Sequence, residues 1–146
     1  MTTTRPTRAA GRGTGLRVLR GNCMGAAVLL VIQFGLGTAV NLYVTLPAGK
    51  SFWSKVFSDG VVAVHALVAL LLLAASVSAL VRAIRAGRVV WFMAAGLVAV
   101  LVAAGSGVSF VRGGSNGASL AMALAAAVAM FCYLAAIFAL GGQPDR

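Results

Sequence analysis

Four long stretches of this sequence, 21–49, 60–81, 89–111 and 113–144, contain no Lys, Arg, Asp or Glu. Each exceeds the roughly 20 apolar residues that cross a hydrocarbon layer of about 30 Å at about 1.5 Å per residue. A Lys or Arg at the centre of such a span costs about 2.5–3.5 kcal/mol on insertion, which explains why the charges collect at the ends. The pattern predicts helices over 24–46, 60–81, 89–111 and 118–140.

The alternative, a soluble fold, fails on composition. Hydrophobic residues make up 61% of the 146 positions, before any of the 18 glycines is counted. An ordinary soluble domain reaches about 45–50% with glycine included. A chain this short has too much surface for its volume to bury that excess. The fold class is therefore all-α integral membrane: an antiparallel four-transmembrane-helix bundle whose first partner is the lipid bilayer.

The net charge of +10 comes from 12 basic residues against Asp59 and Asp145. The basic residues sit in short clusters between the apolar runs and form no face at helical spacing, so nucleic acid is not an expected partner. They act as topology signals, with some attraction for anionic lipid. Arg5, Arg8, Arg12, Arg17 and Arg20 precede the first run, and Arg82, Arg85 and Arg88 separate the second from the third. The other two connections hold only Lys50, Lys55 and Arg112. The bias toward Lys and Arg on the inner side puts both termini in the cytoplasm of a plasma (inner) membrane protein. The first run is too long for a signal-peptide core of about 7–15 residues. Residues 1–20, polar and rich in Thr, Gly and Arg, are expected to be a disordered basic tail. Residues 21–142 form the membrane domain, and 143–146 a second tail.

The first external loop has its own pattern. Phe52, Trp53, Val56 and Phe57 fall on one helical face, and Ser51, Ser54, Lys55 and Ser58 on the other. That predicts a short interfacial helix over 50–58, after a break at Pro47 and Gly49. It is either an anchor in the headgroup region or a lid over the outer mouth of the bundle.

Polar side chains at membrane depth are costly and therefore informative. Gln33, Gly37 and Asn41 share a face of helix one, with Thr38 and Thr45 close by. His65 lies just over one turn into helix two. Ser106 and Ser109 mark helix three, and Ser115, Asn116 and Ser119 begin helix four. Equal depth on sequential helices predicts a hydrogen bond between Asn41 and His65. Two readings stay open. These groups are glue between helices, at about 0.6–2 kcal/mol per contact. Alternatively His65, Asn41, Gln33, Asn116 and Ser119 surround a pocket for a haem, a quinone or a lipid headgroup, with His65 as ligand or proton carrier.

Cys23 and Cys132 do not form a CxxC pair and read as small apolar fillers. Ala121, Ala125 and Ala129 form a small-residue stripe for close helix packing. The triplets Gly35-Leu36-Gly37 and Gly105-Ser106-Gly107 occupy matching places in helices one and three and hint at duplicated helix pairs.

Gln33-Phe34-Gly35-Leu36-Gly37, then Leu46-Pro47, then His65-Ala66-Leu67 opening a Leu- and Ala-rich helix, resembles a helix pair of the haem A synthase-like membrane proteins. The resemblance covers residues 28–75. It implies His65 as an axial ligand to haem iron near the outer face. That family pairs histidines, and the chain has no second one. The resemblance therefore implies a second ligand from a homodimer partner or another subunit.

Three function classes follow: a non-enzymatic accessory or assembly partner of a larger membrane complex, a haem- or quinone-binding redox protein using His65, and a small dimeric transporter. Hydrolytic and transferase chemistry finds no support. Paired carboxylates, a Ser–His–Asp set, a phosphate-binding GxxxxGK[ST] loop and an HExxH pattern are all missing.

Overall fold

The computed structural model describes residues 7–45, 47, 49–113 and 115–141, and they are helical almost throughout. The helices are α1 (Thr7–Tyr43), α2 (Phe52–Val56), α3 (Gly60–Ala86), α4 (Val90–Gly113) and α5 (Asn116–Gly141). The four long ones contain spans, Gly15–Tyr43 in the case of α1, that are long and apolar enough to cross a membrane. The expected tail at 143–146, residues 1–6 of the other tail, and Leu46 lie outside the described residues.

The helix ends differ from the charge-based prediction in an instructive way. α1 starts at Thr7 instead of Met24, so the helix extends back through 7–20. Arg and Ala are good helix formers, and Leu19, with no exposed surface, gives this part of the helix a packing anchor. α3 likewise runs past Arg82 and Arg85. Charges limit how deep a helix sits in lipid, but they do not end it; caps do. Asp59 Oδ1 accepts from Val61 N at 2.7 Å and opens α3. Gly87, with φ 63°, closes it, its N–H donating to Ile84 O while Arg88 N–H donates to Ala83 O. Ser115 Oγ accepts from Ala118 N at 3.2 Å and opens α5. α1 stops at Tyr43, ahead of Pro47, which removes a donor, and Gly49, which turns with φ 74°. In the tight α3–α4 turn Val89 takes φ 52°, a costly conformation for a β-branched residue. Packing of its side chain against the core holds it there.

α1 packs against α3 and α5, and α4 packs against the same two, so the helices form a ring. Each buries a narrow stripe of mostly small residues. On α1 the stripe is Leu19, Cys23, Ala26, Ala27 and Leu30; on α5 it includes Ala125, Ala129, Cys132, Tyr133 and Ala136. Ala121, expected in the α5 stripe, is exposed. Both cysteines are buried and unbridged, as fillers should be, with Cys23 Sγ 3.6 Å from Met93 Sδ. The ring is solid in the half away from α2, where the fully buried Tyr133 lies against Gly96. Toward α2 it is hollow.

Candidate functional site

The hollow half is a cavity of about 530 Å³ between all four long helices, closed at one end by Phe52, Trp53 and Val56 of α2. Ligand pockets fall at about 300–1,000 Å³, so this is far larger than a packing fault. Its walls are mainly apolar. Gln33, Asn41, His65 and Ser119 all line it. Asn116 does not line it. It is the exposed first residue of α5, on the same face as Ser119 but nearly one turn nearer the helix end, outside the cavity.

The pairing among these groups differs from the expected one. His65 meets Gln33, with Gln33 Nε2 donating to His65 Nε2 at 3.1 Å. Asn41 accepts instead from Ser119 Oγ at 3.3 Å, tying α1 to α5. The reason is Gly37. A Cβ there would stand 3.2 Å from His65 Cε1, so the absent side chain makes the notch that the imidazole enters. One turn along, Gln33 is long enough to reach the ring, while Asn41 on the next turn is short and meets α5. Gln33 Oε1 and His65 Nδ1 are buried with no hydrogen-bond partner among the described residues. Leaving such atoms unpaired costs about 1–3 kcal/mol each. Thr38 is self-contained, its Oγ1 donating to Phe34 O at 2.9 Å.

The glycine triplets divide their labour. Gly37 and Gly107 face the cavity, whereas Gly35 and Gly105 have open space where a Cβ would be. Met122, which no polar pattern singles out, also lines the cavity. Its Sδ lies 3.4 Å from the Cβ position of Gly107, and its Cε 3.7 Å from that of Gly37. A flexible thioether thus crosses the hollow between the two glycines, a shape it can readily vary. Its position three residues after Ser119 on α5 was the available signal.

Lys55 also departs from expectation. Its spacing puts it on the polar face of the short helix, but its Nζ donates to Val111 O at 3.1 Å and Arg112 O at 3.3 Å. These carbonyls end α4, where a cation is favoured. Arg112 in turn stands 5.9 Å from the Phe52 ring centre. Lys55 therefore pins α2 over the cavity, and the helix is a fixed cover in this structure. Lys55→Met keeps the aliphatic stem and removes the donors. It is expected to cost about 1 kcal/mol and to raise hydrogen exchange in 52–57 with little change in α5. Unaltered exchange in α2 would show that the latch does not hold the cover.

A haem ligand requires an accessible imidazole nitrogen. His65 Nε2 is taken by Gln33, and Nδ1 lies 3.8 Å from the Cβ position of Gly37, so both nitrogens are turned to α1. Among the described residues no three His, Cys, Asp or Glu come together to hold a metal. In this arrangement an axial haem at Nε2 would have to displace the Gln33–His65 hydrogen bond. No family model matches the chain, and neither the curated proteins nor the solved structures yield a match.

Proposed function

We propose that the chain is an antiparallel four-helix bundle spanning the plasma membrane, and that it binds a neutral apolar molecule beneath α2 without transforming it. The observation that carries this is a polar Gln33–His65 pair set in the wall of a cavity of about 530 Å³ that is otherwise mainly apolar. Such a site offers shape and a hydrogen-bonding point, the usual design of a small-molecule pocket. Membrane insertion is supported by the outer surface, where Val31, Leu67, Phe131 and Phe138 are all exposed. So much outward apolar surface exceeds what soluble monomers carry. The Arg-rich flanks favour cytoplasmic termini. A larger complex would use small-residue stripes as contacts, but Ala125 and Ala129 are buried inside this chain, which favours ligand binding.

The test uses Trp53, which lines the cavity. With Trp91→Phe it becomes the only tryptophan. Titrating the detergent-solubilised protein with a brominated long-chain alcohol should quench Trp53 saturably. His65→Leu should weaken the apparent affinity about fivefold, the worth of roughly one hydrogen bond. Quenching that rises linearly with probe and is identical in the variant would mean simple partitioning into the micelle and would sink the proposal.

A further inference from the structure

A second, wholly apolar hollow of about 230 Å³ lies on the outside of the α1–α5 contact, formed by Leu30, Val31, Phe34, Ala126, Ala127 and Met130. Leu30, Phe34 and Ala126 also line the main cavity, so the two spaces share a wall. Ala126 and Ala127 leave room there that larger side chains would fill. At the α2 end, by contrast, Phe52, Trp53 and Val56 close the cavity and Lys55 holds them down.

The Gln33–His65 pair constrains the head of an occupant. With Gln33 Nε2 donating to His65 Nε2, a ring N–H and an amide oxygen remain. If the amide is turned over, the ring donates, and a bare ring nitrogen and an amide NH₂ remain. Both cases leave one donor and one acceptor. A group that donates and accepts at once satisfies both, and the simplest is a hydroxyl; a ketone or ester satisfies only the donor. Both side chains line the cavity, and Gln33 Oε1 and His65 Nδ1 are the polar atoms there left without a partner among the described residues.

We propose that the cavity is reached sideways from the lipid through the α1–α5 cleft and takes a neutral single-chain amphiphile with a hydroxyl head. The hydroxyl pairs with Gln33 and His65, and the chain leaves along the Leu30, Phe34 and Ala126 wall into the outer groove. This rests on the binding role proposed above. The chain passes from one apolar medium to another and gains little by doing so, so the head supplies the selectivity.

The test is photolabelling of the full chain in phosphatidylcholine vesicles with two long-chain alcohols, one bearing a diazirine beside the hydroxyl and one near the far end. The head probe should label 33–41 and 62–66. The tail probe should label 30–34 and 126–130. Excess hexadecanol should suppress both, while methyl palmitate and hexadecane should compete about tenfold less well, as loss of a paired donor or acceptor requires. Head labelling in the cavity with tail labelling on the outer faces of α3 and α4 would overturn the lateral route and leave binding standing. Equal competition by methyl palmitate would overturn the hydroxyl assignment. Labelling by neither probe that saturates in the cavity would remove the binding role itself.

Discussion

Gly96→Leu is expected to be the most damaging single change at a glycine among the described residues, costing about 3 kcal/mol by overpacking. A Cβ at Gly96 would stand 3.2 Å from Tyr133 Cζ, 3.4 Å from its hydroxyl and 3.5 Å from Cys132 Cβ. Tyr133 is the largest fully buried side chain and lies in the solid half of the ring, so it has nowhere to retreat. The remaining atoms of a leucine would force α4 and α5 apart. Gly105→Leu on the same helix is the control, since nothing lies within 4 Å of its Cβ position. It should change stability by less than about 0.5 kcal/mol. The midpoint of unfolding by sodium dodecyl sulfate in mixed micelles reports both. Similar midpoints for the two variants would mean that α4 does not face α5 through Gly96.

The second large effect concerns the polar pair. His65→Leu leaves the Gln33 amide in an apolar wall without its partner, and Gln33→Leu does the same to the imidazole. Each should cost about 2 kcal/mol, because an abandoned buried polar group bears its full desolvation penalty. The double variant Gln33→Leu/His65→Leu removes both groups and should cost clearly less than the sum, with a coupling of about 1.5 kcal/mol. His65→Leu combined with Asn41→Leu should be additive, since Asn41 bonds to Ser119. Coupling of His65 to Asn41 and not to Gln33 would reverse the pairing described here.

The two cycles separate what was readable from what was not. That Gln33, Asn41, His65 and Ser119 belong together followed from polar groups being expensive among apolar neighbours. Which of them touch did not follow. Gln33, Gly37 and Asn41 lie on one face of α1 by spacing alone, and that face looks at both α3 and α5. Only the packed helices show that the notch at Gly37 admits the His65 ring and leaves Asn41 to α5. Asn116 shows the converse. It looks like a site residue because it is polar and near Ser119, yet it stands about 4.5 Å further along the axis, at the exposed first position of α5 and outside the cavity. Lys55 was placed on a solvated face because the pattern of α2 cannot reveal that the end of α4 stands within reach of its long side chain.

The sequence by itself determined the number of helices, their approximate places and the small residues that let them approach. These depend on local free energies, namely the cost of a charge in lipid and the need to pair every backbone group. It did not determine helix ends, because caps and packing set those. Nor did it show that one half of the ring is filled by Tyr133 while the other is left hollow. Volume at the centre is a sum over four helices in register, so only the tertiary structure could decide where the side chains meet and where they leave a space.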